Sequence, residues 1–220
     1  MIASNLTKLK QQIPKSVQLV AVSKTKPVEL LMEAYQAGQR VFGENKVQEL
    51  VDKHDTMPKD IQWHFIGHLQ TNKVKYIASF VSLIHAVDSL KLLKEINKQG
   101  SKHTRVIDVL LQFHIADEES KFGLKHSDAL QLLDDPDFFE LKNIRIIGLM
   151  GMATFTQNNN QIRDEFRKLH HYHSILKAKQ FKFADYFKEI SMGMSGDYNI
   201  AIEEGSTMVR VGSLIFGSRN

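Results

Sequence analysis

Val20-Ala21-Val22-Ser23-Lys24-Thr25-Lys26-Pro27 reads as a strand that runs into a helix. A short apolar run ends abruptly at a lysine, and Pro27 then opens a helical pattern at a place where its missing N–H removes no hydrogen bond. A lysine at the carboxyl end of a parallel strand stands at the mouth of an α/β fold. Its ammonium can be partly desolvated there, which is the setting a Schiff-base lysine needs. Taken alone, such a lysine is an ordinary rim side chain with its stem on the barrel edge. The rest of the chain decides between the two.

Outward from this junction the same unit repeats. Strands are expected at residues 17–24, 40–44, 62–67, 81–87, 106–115, 144–152, 187–192 and 208–216. Helical spacing is expected at 5–12, 28–37, 45–51, 69–78, 90–98, 127–133, 157–180 and 196–204. The strands are nearly continuous apolar runs, which marks a parallel sheet covered on both faces. Eight strands alternating with helices in 220 residues, with no linker or repeat between them, predict one (β/α)₈ TIM barrel domain over residues 1–220. A doubly wound open sheet is the alternative.

Composition narrows the class. Hydrophobic residues at 42% and charged residues at 25% fit a soluble globule with a sizeable core. The absence of cysteine excludes disulfides and thiol chemistry, and fits a cytoplasmic protein. The N-terminal residues have no secretory pattern, and no apolar run approaches a membrane span, so no membrane contact is expected. The formal charge of +4 suits an anionic ligand, but the lysines are dispersed, which argues against nucleic acid.

In a barrel the active face lies at the carboxyl ends of the strands. Two glycine-containing cups fall there. Ser191-Met-Gly-Met-Ser195-Gly196 follows strand seven and leads into a short helix; Arg210-Val211-Gly212-Ser213 lies in strand eight. Glycines admit close backbone approach, and a helix N-terminus offers free N–H groups to an anion. A single glycine could be only a turn, but two cups on consecutive strands favour a phosphate. A Schiff-base lysine on strand one facing such a phosphate site suits pyridoxal 5′-phosphate.

The chain resembles the pyridoxal-phosphate homeostasis protein family, related to the N-terminal barrel of bacterial alanine racemase. The motifs that carry the resemblance are AVSKTKP (21–27), FGENKVQE (42–49), WHFIGHLQTNK (63–73), GLMGMA (148–153), SMGMSGDY (191–198) and GSTMVRVGSLIFG (205–217). The resemblance implies a barrel with pyridoxal 5′-phosphate at its mouth. Lys24 would hold the Schiff base, Ser195, Gly212 and Ser213 would hold the phosphate, and Arg210 would face the pyridine nitrogen. Asn45 and His64 fall in matching motifs near the cofactor. His68 departs from the family, where proline is common. A zinc site on His64 and His68 is not expected, because the pair straddles a strand end and a loop.

Enzyme and carrier readings separate on two points. The racemase uses a tyrosine from an additional C-terminal domain, and this sequence ends at Asn220, directly after strand eight; neither Tyr35 nor Tyr198 has a motif-based claim to that role. A guanidinium only donates, so Arg210 leaves the ring nitrogen unprotonated and the electron sink weak. Both points suit a monomeric protein that binds, buffers or hands over the cofactor, with cofactor-dependent apoenzymes as conceivable recipients. The alternatives are a racemase or related enzyme acting on amino acids, and a Schiff-base aldolase holding a sugar phosphate.

Other clusters read as structural. His170 and His173 are expected on a solvated helix face, with no third ligand. Asp117-Glu118-Glu119 and Asp134-Asp135 are expected as loop and cap charges. Met150, Met152, Met192 and Met194 are expected as packing at the barrel mouth.

Overall fold

The computed structural model describes residues 1–118 and 122–217. Within them eight parallel strands close into a barrel. The strands are β1 (Gln18–Val22), β2 (Val41–Glu44), β3 (Gln62–Phe65), β4 (Leu83–Val87), β5 (Ile107–Phe113), β6 (Ile144–Gly151), β7 (Glu189–Ser191) and β8 (Met208–Val211). Closure is explicit in the pairing of β1, which meets β2 through Ala21↔Phe42 and β8 through Val20↔Arg210 and Ala21↔Val211. An open doubly wound sheet would not close β1 on β8, so the barrel expectation holds.

The helices lie between the strands in sequence: α1 (Ile2–Gln12), α2 (Val28–Gln36), α3 (Val47–Thr56), α4 (Val74–Ile77), α5 (Leu90–Lys102), α6 (His126–Asp134), α7 (Asn159–Ala178), α8 (Tyr198–Glu203) and α9 (Ser213–Phe216). Local chemistry starts several of them. Ser89 Oγ accepts from the Leu92 N–H at the head of α5, and Asn158 Oδ1 accepts from Asn160 and Gln161 N–H at the head of α7. The apolar faces of strands and helices meet in one large core that includes Phe42, Trp63, Phe113, Phe166 and Phe187. Each of these side chains is essentially solvent-free, and burial of one contributes about 1.5–3 kcal/mol. A smaller cluster of Leu83, Leu110, Met150 and Met208 comes from four strands and fills the barrel interior.

Several boundaries differ from the sequence reading. The run expected as a strand to 216 ends at Val211, and Ser213–Phe216 turns into helix α9, because Gly212 leaves the extended path at φ −122°, ψ −65°. The expected helix at 69–78 is a 3₁₀ turn, Thr71–Lys73, followed by the single turn α4. His173 is not on a solvated face: its ring stacks on Phe187 at 4.7 Å, and burial holds its pKa down at about 4. Met150 and Met192 are buried as expected, whereas Met194 is exposed. Asp135 caps a 3₁₀ turn through Asp137 N–H, while Glu119 lies outside the described residues. Among the described residues no helix is long and apolar enough to cross a membrane.

Candidate functional site

The carboxyl ends of β1, β7 and β8 meet at one sector of the barrel mouth. Along β1 the period-two alternation puts Val20 and Val22 on one face, and Lys24 continues it two residues past the strand. Lys24 is half-buried there. Gly212, just past β8, approaches β1 so closely that an added Cβ would lie 2.9 Å from Val22 O. Its N–H donates to Ser195 Oγ across 3.3 Å, so the cups after β7 and β8 form one structure. Ser213 is exposed at the start of α9, and above Gly196 an added Cβ would meet nothing within 4 Å. Lys24, Ser195, Gly212 and Ser213 thus share one rim, with open space over the glycine-rich turn. Gly193 has φ +94°, a conformation that leaves its carbonyl to accept from Arg210 N–H at 2.9 Å.

Beneath this rim a polar chain crosses the barrel. Arg210 is buried and donates to Ser191 Oγ at 2.6 Å and to Gly151 O at 3.1 Å. Ser191 Oγ lies 3.0 Å from His85 Nδ1, and His85 Nε2 lies 3.0 Å from His64 Nδ1. The four residues come from β8, β7, β4 and β3, so a barrel layer usually filled by branched aliphatics is here polar.

Burial alone pushes His64 down to about 3. His85 is pushed well below its ordinary value by burial, and further by His64 and Arg210. Both imidazoles are therefore neutral at pH 7. Arg210 is lowered to about 10 by burial, against the pull of Asp197, and stays protonated. Arg210 donates to Ser191 Oγ, and the Ser191–His85 and His85–His64 contacts each join one donor to one acceptor, in a direction set by the tautomers of the neutral rings.

Asn45 stands apart from these contacts. It lines a cleft of about 410 Å³ beside the mouth, with Phe65, His68, Lys73 and Tyr76. His68 stacks on Phe122 at 4.7 Å and its Nδ1 is 3.8 Å from Asp88 Oδ2, whereas His64 Nδ1 meets His85. Among the described residues no group of three histidines or acids is placed to hold a metal. Tyr35 donates to Asp60 and Tyr198 to Gln12, each at 2.8 Å.

Sequence reasoning missed His85, and it placed Ser191 at the head of the cup after strand seven without giving it a role of its own. The available signal was a histidine at an inward position of the apolar strand Leu-Ile-His-Ala-Val, since Leu83 two residues before it packs inside the barrel. The buried pair Glu44 and Lys53 was missed too; their spacing across β2 and α3 resembles ordinary surface charge.

The residues present fit a phosphorylated aldehyde on a pyridine ring. A half-buried amine stands on the same rim as a hydroxyl and glycine cup, over a buried cation whose bonded acceptors are both neutral oxygens. A β-barrel with an amine on strand one and an anion cup after strands seven and eight defines the class to which the chain is similar. The family model for the alanine racemase N-terminal domain matches residues 1–220. Pyridoxal phosphate homeostasis protein from Aquifex aeolicus is 41% identical over 203 residues, covering 92% of this chain and 87% of that one. The protein of the same name from Schizosaccharomyces pombe is 42% identical, covering 99% and 93%. Among solved structures, PipY of Synechococcus elongatus with pyridoxal phosphate bound has a TM-score of 0.89 at 34% identity, covering 99% of this chain and 100% of that one. The chain belongs to the alanine racemase N-terminal domain family, among its pyridoxal phosphate homeostasis proteins.

Proposed function

We propose that this protein binds pyridoxal 5′-phosphate as a Schiff base on Lys24 and serves the intracellular homeostasis of that cofactor, without turnover of a substrate of its own. The observation that carries the reading is the contact of Gly212 with Val22 O, which brings the phosphate cup to the strand that bears Lys24. The membership of the family supports it: relatives are named for pyridoxal phosphate homeostasis, and PipY has the cofactor bound. When bound, the cofactor supplies an aldehyde that reacts with amines and a ring that withdraws electrons. Lys24 would hold that aldehyde through its amine nitrogen. Ser195 Oγ and the backbone of Gly212 and Ser213 hold the phosphate, while His64 and Arg210 floor the site from inside the barrel.

Arg210 stays protonated and can only donate, so it holds the ring nitrogen unprotonated and weakens electron withdrawal. That favours a holder of the cofactor over a racemase. In this reading residues 1–220 act as one cytoplasmic, monomeric domain, with cofactor-dependent apoenzymes as recipients and Asn45 contributing from the edge of the mouth. The test is the visible spectrum with added pyridoxal 5′-phosphate, before and after borohydride, beside Lys24→Ala. A Schiff-base band that borohydride abolishes and the variant lacks is expected, with no racemisation of added amino acids. A wild type without the band would overturn the cofactor assignment, and racemisation lost in Lys24→Ala would make the protein an enzyme.

A further inference from the structure

Lys53, on α3, points its buried ammonium under the turn that carries Lys24. It has three hydrogens and three acceptors: Ser23 O at 2.8 Å, and Glu44 Oε1 and Glu49 Oε1, each at 2.7 Å. These acceptors bracket Lys24. On one side Ser23, whose carbonyl Lys53 holds, donates its hydroxyl to Glu44 Oε1 at 2.6 Å. On the other side Thr25 donates its N–H to Glu49 Oε1 at 2.6 Å. Both chain neighbours of Lys24 are therefore tied, through two carboxylates, to one ammonium.

The arrangement is costly for a mere ion pair. Lys53 and Glu44 have side-chain exposures of 6% and 0%, and charges taken out of water lose solvation that their mutual attraction only partly restores. Glu44 Oε2 is buried without a hydrogen-bond partner, and burial pushes this carboxyl up against the opposing pull of Lys53. Thr25 has φ +63°, a left-handed conformation rare for a branched residue and kept only where its surroundings enforce it. The buried charges and the orphaned oxygen belong to the groups that hold the neighbours of Lys24, and one of those neighbours, Thr25, has the strained backbone.

We propose that Lys53 is a positioning residue for Lys24, acting through Glu44 and Glu49 to hold the 23–25 turn so that the Lys24 amine meets the aldehyde of the cofactor. This rests on the Schiff-base reading of Lys24. No step of the bond formation passes through Lys53 itself; it fixes the backbone from which the amine projects.

The test compares wild type with Lys53→Met and with Glu49→Ala, which keeps the buried Lys53–Glu44 pair. Two probes separate position from fold. Pyridoxal 5′-phosphate reports Schiff-base formation by absorbance and borohydride trapping, and pyridoxine 5′-phosphate, which has an alcohol in place of the aldehyde, reports the phosphate cup alone. Schiff-base formation is expected to slow about tenfold in Lys53→Met and about threefold in Glu49→Ala. Binding of pyridoxine 5′-phosphate should stay within about twofold, because the cup is built on other strands.

A third readout needs no cofactor. Acetic anhydride labelling of the amines, read by peptide mass, should rise about threefold at Lys24 in both variants relative to exposed Lys75, because the turn is released. If the wild type forms no Schiff base, the cofactor reading falls, and the labelling alone upholds or overturns the clamp. Folded variants with unchanged Schiff-base rate and unchanged labelling would overturn it. So would an equal loss of both phosphate probes, which would make Lys53 a support of the barrel rather than of Lys24. If Lys53→Met does not fold, Glu49→Ala decides by the same criteria.

Discussion

His85 Nδ1 lies 3.0 Å from Ser191 Oγ, a bond that joins β4 to β7 across the interior of the barrel. The same oxygen accepts from Arg210 at 2.6 Å, so Ser191 is the hinge between two neutral imidazoles and a buried cation. Ser191→Ala would leave a guanidinium arm and a ring nitrogen unpaired in a fully buried layer. A loss of about 2–4 kcal/mol is expected in urea unfolding, larger than for a neutral hydrogen bond because one donor is charged. A loss below about 0.5 kcal/mol would mean that the layer does not hold Arg210.

The same layer sets a pH dependence. His64 in the folded protein has its pKa near 3, far below the ordinary value of 6.5, and His85 is also depressed. The unfolded chain therefore binds more protons than the folded one as pH falls below about 6.5, and stability is lost on acidification. Each such histidine contributes a slope of about 1.4 kcal/mol per pH unit within that window. Urea midpoints measured from about pH 7 to pH 4 should fall, and should fall less steeply in His64→Gln. His173, held near 4 elsewhere in the fold, adds to the wild-type slope and remains in the variant as an internal control.

Much of this was legible in the sequence because it depends on local pattern. Apolar runs ending at Lys24, Glu44 and Met192 located β1, β2 and β7 to within two residues of their carboxyl ends, and barrel geometry then placed those ends on one face. Of the motif residues, Gly212 and Ser195 are joined by a hydrogen bond, and Lys24 follows the strand whose Val22 faces Gly212. Leu214-Ile-Phe216 misled, since an apolar run after a strand looks like more strand, and only the backbone at Gly212 turns it into a helix. His85 was hidden for a different reason. Its partners, Ser191 and His64, are 106 and 21 residues away in sequence, and no local spacing announces a bond across a barrel. Lys53 gave no signal in the sequence, because the carboxylate that buries it sits on a neighbouring strand.

Two glycines separate the phosphate cup from the stability of the barrel. At Gly212 a methyl group would press on Val22 O at 2.9 Å, a backbone atom that can yield only by shifting β1. Gly212→Ala is expected to lose about 1–3 kcal/mol of stability and to weaken pyridoxine 5′-phosphate binding about tenfold or more. At Gly196 the same methyl meets nothing within 4 Å. Gly196→Ala should therefore keep its stability within about 0.5 kcal/mol while losing affinity, if a phosphate occupies the space above it. Calorimetric titration beside thermal unfolding reads both; unchanged affinity in both variants would remove the phosphate from this turn.

Arg210→Lys tests whether the guanidinium fixes the electronic state of the ring. The arginine reaches Ser191 Oγ and Gly151 O at once through its planar fork, and a lysine ammonium on the same stem is a point donor that cannot reproduce that geometry. The wild-type cation has its pKa at about 10, so between about pH 6 and pH 9 its charge is constant and the spectrum of bound pyridoxal 5′-phosphate should be nearly flat. A buried amine at this position sheds its proton far more readily, because desolvation disfavours the ammonium more than the pull of Asp197 restores it. As pH rises the variant should pass from cationic to neutral, the donor facing the ring should weaken, and the bound absorbance should shift within that window. Arg210→Lys with a spectrum as flat as wild type would place the guanidinium away from the ring and leave it a purely structural group.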